Sequence, residues 1–239
     1  MSLIIFRVLS TNLRRAFAVL RFGLLTLRWA GLRVALQKLG HQLYGHTVFL
    51  YTTGEMDTTV SPQRFPCYTV YATDEDMKEV FGQIHGESNE GKYQLLVRKW
   101  YHQRGIGIPY VQKTLDTNEI CCVRWMVTAE DMRKTGLNDK FPELEEDEFM
   151  LENVYTFERF RNQGVQTSSK MSEITQSMGL TRIISQVAED NVIELRALRR
   201  WDSRIFERVL ERHFLFRVTR KTLEKYDPPI PVTVPGGED

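Results

Sequence analysis

The first 54 residues of this 239-residue chain hold no aspartate or glutamate, against seven basic side chains (Arg7, Arg14, Arg15, Arg21, Arg28, Arg33 and Lys38). The rest carries 25 basic and 31 acidic residues. A near-neutral total therefore conceals a basic head on an acidic body, which bears on partners rather than on fold. Cysteine is scarce as well. Cys67, Cys121 and Cys122 form an odd set with no framework spacing, which excludes a disulfide-stapled scaffold and fits a reduced, cytoplasmic setting. Cys121 and Cys122 are neighbours in a strand-like run, so their side chains are expected on opposite faces. The five histidines are scattered and none belongs to an HExxH-type pair, so no metal is expected. Internal repeats are absent. No stretch of about 20 residues within 3–37 is free of arginine, which argues against a membrane span. Its apolar runs, broken by charges and lacking a small-residue cleavage site, do not read as a secretory signal.

What the head does have is helical pattern. Ser10, Thr11 or Asn12 is placed to cap a helix running toward Gln37. Arg7, Arg14, Arg21 and Arg28 recur every seven residues and form one stripe on it. Leucine, phenylalanine and valine fill much of the remainder. Residues 3–37 thus suit either a membrane surface, with arginines at lipid phosphates, or a protein surface, whether the chain's own domain, a partner protein or a second subunit in a homodimer. The basic residues accompany an apolar helix rather than a polar, aromatic-interleaved face, so nucleic acid is not an expected partner.

From Thr47 onward strands and helices alternate. Residues 47–53 read as a strand and "YTVYATDEDMKEVFGQI" as strand, turn and helix, with Thr73 and Asp76 spaced as a capping box. "KYQLLVRKWYHQ" is a second helix, and residues 110–115 and 120–127 form a hairpin about "DTNE". A polar excursion over 129–148 ends in "ELEEDE", an acidic stretch suited to attracting a cationic amine. Then come a strand over 149–157, a loop, a helix over 165–178, the strand "RIISQVA" and a long charged helix from Val192 to about Arg212. "FLFRVTR" is the last strand, and the tail from 228 is too rich in proline and glycine to pack regularly. The expected fold is α/β of mixed α+β type, a mixed sheet flanked by helices, with domain limits at 1–46, 47–227 and 228–239.

The loop "RFRNQGVQTSSK" carries the most chemistry. An apolar strand, then Arg161-Asn162-Gln163-Gly164-Val165-Gln166, then a helix start is a layout for binding pyrophosphate. Amides there lack intrahelical acceptors, the helix dipole favours negative charge, and Thr167 and Ser168 add hydroxyls. This loop, together with "YTVYATDEDMKEVF", the hairpin and "GLTRIISQVAEDN", resembles the GNAT superfamily of N-acetyltransferases over roughly residues 67–220. That family has Arg/Gln-x-x-Gly-x-Gly/Ala after a strand. Arg161 and Gly164 match it, and Gln166 stands where a small residue is usual. Asn191 matches the asparagine that comes after the family's next strand. "ERHFLFRV" looks like its closing helix end and strand.

The resemblance implies acetyl-CoA as co-substrate and a cleft between the strand before the loop and "RIISQVA". Backbone groups of Val154 to Thr156 would pair with the pantetheine arm, and an amide there would face the thioester oxygen. Glu152, taken by alternation to share a side with Thr156 and not with Tyr155, is the candidate base for a primary amine of a small molecule. The family's usual acid is a tyrosine seven residues past the asparagine, where Leu198 stands. The function implied is an N-acetyltransferase, with an amino-sugar intermediate as one acceptor, working in the cytoplasm or peripherally on the inner face of a membrane. Two alternatives stand beside it: transfer of a longer acyl chain from an acyl-carrier protein, and an inactive GNAT-like protein of ligand binding or assembly. Trp100, Trp125 and Trp201 are expected in the core rather than at a ligand.

Overall fold

The computed structural model describes residues 2–55, 65–135, 141–165, 171–214 and 217–234, with the backbone path alone for 2–20 and 171–173. The elements are α1 (Ser2–Tyr44), β1 (His46–Glu55), β2 (Cys67–Tyr71), α2 (Asp74–Gly82), α3 (Asn89–Gln103), β3 (Ile108–Thr114), β4 (Ile120–Thr128), α4 (Ala129–Thr135), β5 (Glu148–Thr156), α5 (Met171–Ser177), β6 (Arg182–Ala188), α6 (Val192–Arg200), β7 (Arg204–Phe214) and β8 (Arg217–Pro231). The strands make one sheet of eight in the order β2-β3-β4-β5-β6-β1-β7-β8. Every adjacent pair is antiparallel except β5 and β6. The expected mixed sheet flanked by helices is what the chain builds.

Local chemistry explains most boundaries. Thr73 Oγ1 accepts from the Asp76 amide at 3.1 Å while Asp76 Oδ2 accepts from the Thr73 amide at 3.0 Å, so the anticipated capping box opens α2. The predicted helix over 192–212 ends instead at Arg200. Asp202 takes a left-handed φ of 50° and the Ser203 amide returns to the Leu198 carbonyl at 3.0 Å, a Schellman stop made without glycine. The chain then continues as strand. "ERHF" closes β7 and Arg217-Val218 opens β8, so the closing helix end expected there is absent. β8 runs through Pro228 and Pro229 to Pro231, with Val232 buried behind it, so the start of the tail expected to be irregular pairs with β7 at Ile230 and Pro231. As the last strand of the order it tolerates proline, which has no amide to give a further neighbour.

One face of the sheet packs Trp125, Met150 and Tyr155 against Met77, Leu95 and Tyr101 of the helices α2 and α3. α1 lies over that layer. Its path breaks at Gly31 (φ 84°), and Phe22 and Lys38 meet Tyr93 of α3 while Trp29 meets His85. Its inner side, with Thr26, Ala30 and Val34 buried, thus rests on the chain's own domain. The opposite face packs Leu50, Val187, Leu195 and Leu198 in one cluster and Tyr110, Met126 and Phe149 in another. Cys121 and Cys122 do not part to opposite faces. A register slip between Gln112 and Lys113 leaves Cys121 in a bulge, and both thiols lie in one buried cluster with Cys67 and Val165.

Candidate active site

β5 and β6 pair only at Glu148–Arg182, Phe149–Ile183 and Met150–Ile184. Beyond that point β5 stays with β4 as far as Thr156, while β6, paired with β1 on its other edge from Arg182 to Ala188, continues with β1 alone, Gln186 facing Tyr51. A cleft opens where they part. It is lined by Leu151 and Val154 of β5, Ser185 and Gln186 of β6, Arg124 of β4, and Glu194 and Trp201 of α6 and its end.

The wall on the β5 side is bulged. Tyr155 pairs with Val123 and Glu152 with Trp125, so Asn153 and Val154 together oppose Arg124. Asn153 takes φ 52° to permit it. Arg98, reaching from α3 and 5% exposed, braces the bulge through Nε to the Asn153 carbonyl (2.8 Å) and Nη2 to the Val154 carbonyl (2.7 Å). Burial pulls its pKa down to about 10, which leaves it charged at neutral pH.

The bulge also overturns the expected alternation. One extra residue between Glu152 and Thr156 puts Glu152 on the side of Tyr155, facing α3, where Arg98 sits 4.9 Å over the Tyr155 ring. Glu152 is half-buried, and desolvation pushes its pKa up to about 7, against the pull of Arg98 and Arg220. Tyr51 is pushed up to about 12 by burial and accepts from Arg220 Nη1 at 3.1 Å. Arg220 is itself held by Glu211 at 2.6 and 2.8 Å. The strongly charged side chains nearest Glu152 are thus fixed by their own partners, and its carboxyl is poised between forms near neutrality.

The loop leaves β5 through Glu158–Phe160, a single turn of 3-10 helix, and then uses two left-handed residues, Asn162 (φ 63°) and Gly164 (φ 79°). Arg161 folds back. Its Nε donates to the Thr156 carbonyl at 3.1 Å, and its guanidinium lies 3.6 Å from Glu158 and 5.4 Å over Tyr155. Gln163 Nε2 donates to the Arg159 carbonyl at 2.9 Å. Val165 is buried, and Gln112 Nε2 donates to its carbonyl at 3.1 Å. Gln166, Thr167 and Ser168 lie outside the described residues.

No family model matches this chain, and no curated protein matches it in sequence. Solved structures do match. The glucosamine N-acetyltransferase region of a fungal multi-domain GH3 beta-N-acetylglucosaminidase superposes at TM-score 0.50 with 11% identity, over 79% of this chain and 23% of that one. The fold is that of the GNAT acetyltransferases. A GNAT-family acetyltransferase from Colwellia psychrerythraea matches at TM-score 0.47 and 12% identity, over 70% of this chain and 56% of that one. An N-acetyltransferase from Sphaerobacter thermophilus matches at 0.45 and 10%, over 80% and 57%. The chain therefore spans under a quarter of the fungal protein and little more than half of the other two.

The remaining site candidates lie on α6 and at the start of β5. Asn191 caps α6, its Oδ1 accepting from the Glu194 amide at 3.3 Å. Leu198, where the sequence resemblance set a tyrosine as the usual acid, is buried in the apolar cluster under α6 and offers no proton. The acidic run before β5 lies at the closed end of the β5/β6 pair. Glu148 is six residues from Val154, about 20 Å along an extended strand, and it is engaged with Arg182 at 3.2 Å. Among the described residues no cluster of three metal-ligating side chains exists.

Three lining residues are not evident from sequence alone. Arg124 has a signal, a lone charge inside the apolar run "ICCVRWMV". Glu194 has none, because it reads as an ordinary third residue of a capped helix. Trp201 packs half-buried against the apolar cluster under α6, as expected of a core residue, and also lines the cleft at the helix end.

Proposed function

We propose that the chain transfers an acetyl group from acetyl-CoA to a primary amine, with Glu152 as the base. The divergence of β5 and β6 beside a bulged wall, with a carboxyl poised near pH 7 on the same strand, carries this reading. Acetyl-CoA supplies the activated acyl group. The chain's part is to hold it along Val154 to Thr156, with the loop from Arg161 to Thr167 and Asn191 near its polar end, and to take a proton from the amine at the Glu152 carboxylate. A general base works best with a pKa close to the working pH. The fungal match is described as a glucosamine N-acetyltransferase region, and an amino sugar is accordingly the first acceptor to try.

Calorimetric titration with acetyl-CoA tests the reading. The wild type is expected to bind, and Gly164→Trp to lose at least about tenfold in affinity, since φ 79° strains any side chain and an indole fills the loop. A wild type that gives no heat with acetyl-CoA would sink the proposal.

The outer side of α1 is assigned to an anionic lipid surface. Leu24, Leu27, Leu32, Leu36 and Leu39 are exposed there, interleaved with exposed Arg21, Arg28 and Arg33, and no acid precedes Glu55. No helix of the described residues is long and apolar enough to cross a membrane. Each arginine near such a surface contributes roughly 1 kcal/mol. The triple variant Arg21→Glu, Arg28→Glu, Arg33→Glu is therefore expected to stop co-sedimenting with phosphatidylglycerol vesicles that retain the wild type. Equal retention of both, or wild-type retention on neutral vesicles alone, would remove the assignment.

A further inference from the structure

Acetyl transfer needs two proton sites, one for the amine and one for the departing sulfur, and the position where an acid was expected holds Leu198. The cleft offers a different pair. Arg124 is 2% exposed, and among the described residues its Nε has no hydrogen-bond partner. One of its terminal nitrogens donates to Gln112 Oε1, whose amide nitrogen holds the Val165 carbonyl of the loop. A buried guanidinium with a free N–H beside the bulge is an unfilled position for an acceptor, since an unmet buried donor costs free energy. Glu194, half-buried on α6, lines the same cleft.

We propose that Arg124 and Glu194 form the leaving-group site of this chain: the Arg124 guanidinium meets the CoA sulfur as negative charge develops on it, and the Glu194 carboxyl delivers its proton there. The inference rests on the acetyl-CoA reading above. The amine nitrogen forms a bond to the acyl carbon, and the carbon–sulfur bond breaks with its electron pair on sulfur. Sulfur takes the Glu194 proton, and Glu194 is reprotonated from solvent as Glu152 releases the amine's proton to it.

Two features support the assignment. Desolvation raises the Glu194 pKa, against the pull of Arg124, which extends the pH range in which it has a proton to give. The other lining residues, Leu151, Val154, Ser185, Gln186 and Trp201, are uncharged, so Arg124 and Glu194 are the charged side chains that line the cleft.

The test needs no acceptor. The thiol of bound CoA is titrated through the ultraviolet absorbance of its thiolate, with binding followed separately by calorimetry. In the wild type its pKa is expected below that of free CoA. Arg124→Gln is expected to raise it by about one unit or more, because a neighbouring cation favours the thiolate. Glu194→Gln is expected to lower it, because the carboxyl ionises before the thiol and opposes a second negative charge. Opposite shifts from two neutral replacements are not what a packing role would give. Should Arg124→Gln fail to fold, the direction of the Glu194→Gln shift alone decides. CoA that binds with a thiol pKa unmoved by Glu194→Gln overturns the leaving-group site and leaves the acetyl-CoA reading standing. A wild type that binds neither CoA nor acetyl-CoA removes both.

Discussion

Glu152→Gln is expected to lower the rate of acetyl transfer by about 10²–10⁴-fold, the usual span for a general base, and at the same time to stabilise the protein above pH 7. Proton counts set the sign. In the unfolded chain this carboxyl releases its proton near its ordinary value of 4.5, and in the folded chain near about 7. Between those values the folded state holds more protons than the unfolded one, so stability falls as pH rises through the window and stays reduced above it. A gap of that size corresponds to about 3 kcal/mol. A glutamine has nothing to ionise and escapes the loss. For a domain this large that is roughly 6–12 °C in Tm at pH 8, with little difference at pH 4. Melting curves of both proteins at the two pH values check it. Equal melting temperatures at pH 8 would mean that Glu152 is solvated and no candidate for the base. Activity of the wild type should rise with pH through about 7, tracking ionisation of this group.

The second large effect is at Arg98. Replacing it with leucine removes the donors that meet the Asn153 and Val154 carbonyls at 2.8 and 2.7 Å. Two buried carbonyls left unmet cost about 3–5 kcal/mol together, or roughly 6–20 °C in Tm at this size. The loss reaches the site as well. Arg98 favours the ionised form of Glu152, so without it the Glu152 pKa moves above about 7 and any remaining activity shifts to higher pH. Arg98→Lys keeps the charge but not the fork, and is expected to preserve the pH profile while still losing stability. An Arg98→Leu protein that melts like the wild type would show that the bulge holds itself.

The elements with strong local signals were legible in the sequence. The capping box at Thr73 and Asp76, the hairpin about "DTNE", the strand entering the loop and the strand "RIISQVA" all stand close to where periodicity put them. Features decided by distant partners were not. Alternation assigned Glu152 and Tyr155 to opposite faces, because nothing in "LENVYT" announces that Asn153 turns left-handed and that an arginine 55 residues earlier takes its carbonyl. The residues of β7 carry enough charge to pass for helix, since a strand between two paired neighbours can expose polar side chains on one face. Asp202 hid the stop before it by doing what glycine usually does. Arg124 and Glu194 lie 70 residues apart and meet only because the cleft brings β4 and α6 together.

The place of β1 has a consequence for biosynthesis. Residues 46–55 lie between β6 and β7, whose residues begin at 182 and 204. A nascent chain has therefore made β1 long before either neighbour exists, and the strand must wait with both hydrogen-bonding edges open while more than half of the protein is translated. Pairings across such separations are closed late and slowly. β6 is the strand that forms one wall of the cleft; it is in register with β1 from Arg182 to Ala188, and from Ser185 onward β1 is its one paired neighbour. The site thus comes into being only once the earliest strand and the latest ones have met. Truncation after residue 203 is expected to yield a chain that exposes β1 and aggregates, rather than a smaller folded one.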